Sequence, residues 1–216
     1  MRILSRTVGA FQENAYLVVD DETGDAVIVD PGADPDDIIA MIESSGATLR
    51  AVWITHAHLD HIGAISAIRR RYAGVPVHVH PLDRPVYEAQ SVFAESYQVP
   101  FEQPDAADAD LAHGDVMRVG NLSFDVIHLP GHSPGHVVFH GHGIVLGGDV
   151  LFAGSIGRTD LPMANPEHMQ DSLRTIAALP PETVVYPGHG AATTIGAELN
   201  SNPFLNGMAN VKRNAD

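Results

Sequence analysis

The chain has 216 residues and a formal net charge of −15, from 12 Lys and Arg against 27 Asp and Glu; 44% of its residues are apolar and 18% charged. This composition suits a folded core and disfavours a disordered or fibrous chain, and the acidity disfavours nucleic-acid binding, which depends on cations replacing phosphate counterions. Cysteine is absent, which excludes disulfides and thiolate chemistry, while 13 histidines exceed what a core or a surface requires.

No apolar run reaches the ~18 to 20 residues of a membrane span, and Met1 to Ala10 interleaves Arg with apolar residues. A soluble, unprocessed, cytoplasmic protein with no membrane partner is expected. No internal repeat or low-complexity linker divides the chain, so residues 1–216 read as one domain, with a tail from about 206 to 216 that need not be ordered.

Apolar, β-branched runs at Ala15 to Val19 and Ala26 to Val29 flank a Thr23-Gly24 turn and predict a hairpin. Asp30-Pro31-Gly32 ends the second run, and Ile38, Ile39, Met41 and Ile42 after Pro35 have the spacing of one helical face. Leu49 to Thr55 reads as a buried strand, Ile62 to Tyr72 as a helix with Ile62, Ile65 and Ile68 inward, and Val75 to His80 as a further strand. A helix over about 83–90 precedes an ambiguous stretch, 91–109.

Four short segments follow, Val116 to Val119, Leu122 to Leu129, His136 to His140 and Ile144 to Leu146, each bounded by Gly, Asn or Pro and predicted to be antiparallel strands. A helix over Pro166 to Leu179, a strand over Thr183 to Tyr186 and a helix over Thr194 to Asn200 complete the chain. The order is β-rich, α, β-rich, α. Two such halves are compatible with a four-layer α/β sandwich, which the layering rules allow without singling it out.

Thr55-His56-Ala57-His58-Leu59-Asp60-His61 sits where a buried strand ends and a helix begins. His56 and His58, two apart in extended backbone, face the same way, while Asp60 and His61 enter the helix and swing toward a second position. One loop can thus feed two metals, and neutral imidazole with carboxylate suits borderline ions such as zinc. Pro130-Gly131-His132, Gly147-Gly148-Asp149 and Pro187-Gly188-His189-Gly190 each follow a predicted strand. With the first loop they make seven ligands, enough for two four- or five-coordinate ions sharing a carboxylate and a water. Gly131-His132-Ser133-Pro134-Gly135 matches the serine-hydrolase nucleophile pattern, but that elbow needs a helix after it, and Pro134 with Val137-Val138-Phe139 predicts a strand. Ser133 is therefore not taken as a nucleophile.

These four segments resemble the metallo-β-lactamase fold superfamily. Gln12-Glu13-Asn14-Ala15-Tyr16, Asp30-Pro31-Gly32, Gly157-Arg158-Thr159-Asp160, Thr193-Thr194-Ile195-Gly196 and Asn202-Pro203-Phe204-Leu205 are similar to short bacterial hydroxyacylglutathione hydrolases, the glyoxalase II-like proteins. The resemblance implies an αββα sandwich, one metal on His56, His58 and His132, a second on Asp60, His61 and His189, and Asp149 bridging them. Asp30 is expected to support the ligands from behind. The two divalent ions implied are zinc first, with iron or manganese compatible.

The expected reaction is thioester hydrolysis, for example of S-lactoylglutathione, by a hydroxide bridging the metals, with Asp60 orienting it and Asp149 the bridging catalytic carboxylate, the thiol leaving as a fairly stable anion. Classical members carry an added helical C-terminal region that supplies cationic contacts to glutathione, and with 27 residues after His189 in this sequence the resemblance does not extend to that clamp. Lys212 is the sole lysine, which makes Arg158 the expected contact for a small anionic thioester. Two alternatives keep the same residues: a persulfide dioxygenase with one iron on His56, His132 and Asp149, or a dinuclear lactonase or phosphodiesterase.

Overall fold

Strands that are apolar on both faces demand cover on both faces, and three separate cores provide it. The computed structural model describes residues 1–209 and Val211. One sheet runs β1 (Arg2–Val8), β2 (Glu13–Val19), β3 (Asp25–Val29), β4 (Thr48–Trp53), β5 (Val77–Val79) and β6 (Ala109–Asp110), in that spatial order. The other contains β7 (Val116–Val119), β8 (Leu122–His128), β9 (Val137–Gly141), β10 (Ile144–Gly148), β11 (Val184–Pro187) and β12 (Thr193–Thr194), again adjacent in chain order. β7 to β10 are antiparallel neighbours, as their patterning predicts, and β10 pairs with β11 in parallel.

Alternation sorts the side chains. From β2 and β3, Tyr16, Val18, Val27 and Val29 enter the core between the sheets, while Ala15, Leu17, Ala26 and Ile28 enter the core under the helices. From β9 and β10, Val137, Phe139, Ile144 and Leu146 face the first sheet, and Val138 and Val145 face the opposite helical layer. Trp53 crosses the central core, its ring 5.9 Å from Phe124 and 5.0 Å from Phe139. Helices α1 (Pro35–Ser45), α2 (Leu59–Ile62), α3 (Ile65–Arg71), α4 (Arg84–Glu88) and α5 (Gln90–Tyr97) belong to the first half, and α6 (Pro166–Ala177) and α7 (Ile195–Ser201) to the second. Ile38, Met41, Ile65 and Ile68 pack on one sheet, and Met169, Leu173 and Ile195 on the other. The fold is the four-layer αββα sandwich.

Several boundaries differ from the sequence reading. β1 has only Val8 buried, so this edge strand carries little apolar alternation to read. The helix expected over 62–72 is two helices, because the chain bends at Gly63 and Ala64, where Ala64 N–H donates to Pro31 O at 3.0 Å. The ambiguous stretch 91–109 holds most of α5 and the first residue of the short β6. In the tail, Val211 packs against the third core; residues 210 and 212–216, Lys212 among them, lie outside the described residues. No helix among the described residues is long and apolar enough to cross a membrane.

Candidate metal centre

The strand ends bring the candidate ligands together. Asp30 follows β3, His56 to His61 follow β4, His132 follows β8, Asp149 follows β10 and His189 follows β11, all at one edge of the sandwich. His56, His58 and His132 form one group and Asp60, His61 and His189 another, the ligand atoms within each lying within 4.8 Å of one another. The Asp149 carboxylate stands between them. Its Oδ2 is 3.4 Å from His132 Nε2 and 3.5 Å from His189 Nε2, and its Oδ1 is 3.5 Å from His61 Nε2. Such proximity requires glycine beside it: a Cβ on Gly188 would lie 2.2 Å from Asp149 Oδ1, and one on Gly148, at φ +46°, 2.4 Å from Thr55 Oγ1.

The outer ring nitrogens are tethered, which fixes the face each imidazole presents inward. His132 Nδ1 donates to Arg158 O at 2.8 Å, and His189 Nδ1 to Phe11 O at 3.1 Å. Asp30 is buried behind the site: it accepts from Thr55 N at 2.7 Å, from Thr55 Oγ1 at 2.5 Å and from His61 Nδ1 at 3.1 Å. Buried His136 accepts from Asp149 N at 2.9 Å, which fixes the main chain of the residue whose carboxylate stands between the groups.

His56 Nε2, His61 Nε2 and Asp149 Oδ1 are buried with no hydrogen-bond partner and lie within 4.8 Å of one another, one nitrogen from each group beside the carboxylate between them. Leaving buried polar atoms unpaired is costly, so these three fit a centre in which ions at both groups would be ligated. The charges agree. Burial and neighbouring imidazoles push His56 and His58 well below the ordinary histidine range, which leaves neutral ligands. Burial opposes charge on His61, but Asp149, Asp60 and Asp30 outweigh it and raise its pKa to about 9. Burial also opposes charge on Asp60, yet His61 and His189 lower its pKa.

The sequence reading missed several supporting residues. Asn14 Nδ2 donates to Pro187 O at 3.2 Å and to Gly190 O at 2.9 Å, and Tyr16 OH donates to Pro187 O at 2.8 Å. Together they clasp the loop that carries His189; the Gln12 to Tyr16 segment was the available signal. Glu13 is fully buried, 4.0 Å from His61 Nδ1, and burial with the charges of Asp30, Asp60 and Asp149 raises its pKa. Asp83 accepts from Ala57 N at 2.8 Å, Ser133 Oγ at 2.5 Å and Gly135 N at 2.5 Å, which joins the loop of His56 and His58 to the loop of His132. Arg158 lines the cavity over the site, but its guanidinium makes two hydrogen bonds to Asp160, at 2.8 and 3.0 Å.

A four-layer sandwich with two histidine-carboxylate groups converging on a shared aspartate defines a metallo-hydrolase. The family model of the metallo-beta-lactamase superfamily matches residues 8–189, and the chain belongs to that superfamily. It is 36% identical to the hydroxyacylglutathione hydrolase GloC of Haemophilus influenzae over 92% of this chain and 95% of that protein. It is also similar to the crystal structure of TTHA1623 in a di-iron-bound form, at TM-score 0.86 and 43% identity, covering 94% of this chain and all of that one. The BLEG-1 B3 metallo-beta-lactamase superposes at TM-score 0.88 with 37% identity over 94% of this chain and 99% of the other.

Proposed function

We propose that the chain is a metal-dependent thioester hydrolase working through two divalent ions, one on His56, His58 and His132, the other on Asp60, His61 and His189, with Asp149 shared. The observation that carries this reading is the Asp149 carboxylate, within 3.5 Å of histidine nitrogens from both groups. The hydroxyacylglutathione hydrolase among its relatives supports the substrate class. Bound ions supply Lewis acidity and an activated water at neutral pH. The protein holds the reacting groups: Asp60, whose Oδ2 lies 3.3 Å from His189 Nε2, would orient the activated water, which would attack after losing one proton to solvent. Water oxygen bonds to the carbonyl carbon, the carbon–sulfur bond breaks, and the thiol leaves as an anion that needs no strong general acid, free thiols having pKa near ~8.5. Ser133 takes no part, because its hydroxyl bonds to Asp83. Zinc fits the ligand set, and a relative with two irons keeps iron open as the working metal.

Metal analysis followed by thioester and persulfide assays tests the proposal. Two ions per chain with thioester turnover that chelation abolishes is the expected result. A single iron with oxygen uptake on persulfide would replace it with the dioxygenase.

A further inference from the structure

A cavity of about 380 Å³ opens directly over the two ligand groups, within the size range of small-molecule sites. Its floor includes His58, Asp60, His132, Asp149 and His189, but its walls are apolar, among them Phe11, Val86, Phe93, Phe152, Leu161 and Met163. These residues come from the β1–β2 loop, α4, α5 and the segments after β10. Phe11 is 38% exposed and Met163 55%, so large apolar side chains face water at the rim. Met163 also holds a left-handed φ of +66°, sparsely populated by a non-glycine residue. Among the described residues, Arg158 is the one arginine or lysine in the lining, and its guanidinium is already paired to Asp160.

From this arrangement we infer that the thioester carries an apolar aliphatic or aromatic acyl chain, which fills the cavity while its carbonyl meets the metal centre. The inference rests on the thioester reading and names its substrate class. The two groups on a scissile carbonyl differ in what they become. The thiol leaves as an anion, which an apolar wall would leave poorly solvated, whereas the acyl chain stays uncharged away from the carbonyl. The apolar cavity therefore takes the acyl side, and the thiol faces water.

Two series on the metal-loaded protein test this. In the first, thioesters of one uncharged thiol run from acetyl to octanoyl, with a parallel arm that keeps the acetyl group and lengthens the thiol. In the second, calorimetry measures binding of the straight-chain carboxylates from acetate to octanoate, which needs no turnover. Expected is a kcat/KM that rises with acyl length by up to about fourfold per methylene until the cavity is full, a carboxylate affinity that rises in parallel, and a shallower dependence of both in Phe93→Ser. Turnover indifferent to acyl length, a response confined to the thiol arm, or a flat carboxylate series would overturn it. Carboxylate affinity that climbs with length while no thioester is cleaved would keep the apolar cavity and remove the thioester reading.

Discussion

The Asp83 carboxylate accepts a 2.5 Å hydrogen bond from the Ser133 hydroxyl, and both residues are buried. Ser133 is the serine of the G-x-S-x-G match, and this bond gives it a structural partner instead of a catalytic base. Ser133→Ala should keep most of the activity and lose about 1 kcal/mol of stability. Asp83→Asn should be more damaging, since its amide cannot accept from all three donors, Ala57 N–H, Ser133 O–H and Gly135 N–H, with both oxygens. A metal affinity lower by about 10- to 100-fold is expected, along with a lower unfolding midpoint. Metal titration and thermal unfolding of the two variants check both statements.

Asp149→Ala should empty both ligand groups and abolish turnover. Its oxygens lie 3.4 to 3.5 Å from nitrogens of both groups, so the charge that offsets repulsion between two cations disappears at once. A variant that retains two ions and full activity would remove the bridging assignment.

Asn14→Ala should act on one group only. Its side-chain amide holds Pro187 O and Gly190 O on either side of His189 and has no such bond to the His132 loop. About tenfold or more weaker binding is expected at the Asp60, His61 and His189 group, with the first group filling as in the unaltered protein. Stepwise metal titration separates the two.

Loading should release protons, and the direction follows from the shifts. In the metal-free protein His61, with a pKa raised to about 9, carries a proton at pH 7, and the raised pKa of His189 favours its charged form. Ligating imidazole is neutral, so binding expels these protons. His56 and His58, pushed down, have none to give. Calorimetry in buffers of different ionisation enthalpy should find release at pH 7 that falls away as pH rises past 9, and zero release at pH 7 would refute it.

Arg158→Ala should change little in metal content, because His132 bonds to the main-chain oxygen of that residue, which the substitution keeps. With the guanidinium bound to Asp160, its removal should raise KM for an anionic thioester by less than about threefold, the scale of an exposed contact. Steady-state kinetics on one anionic and one uncharged thioester decide this. A tenfold rise in KM confined to the anionic substrate would instead make Arg158 the anion contact.

The candidate ligands were legible because each lies in a local signal, four of them in Thr55 to His61 after a strand and three at a strand end followed by glycine and histidine or aspartate, as at Leu129 to His132 and Tyr186 to His189. Strand and helix periodicity also placed most elements, since burial on two faces leaves its record along the chain. Tertiary structure alone decided what joins these local pieces. Asp83 reaches Ala57 across 26 residues and Ser133 across 50, and Asn14 reaches Pro187 across 173. Nothing along the chain encodes such a pairing, which arises when two sheets pack and bring their loop-bearing edges together. The same holds for the cavity, whose walls come from separate loops and helices. Residue type and spacing select the chemistry here, while packing of distant segments selects what that chemistry can be applied to.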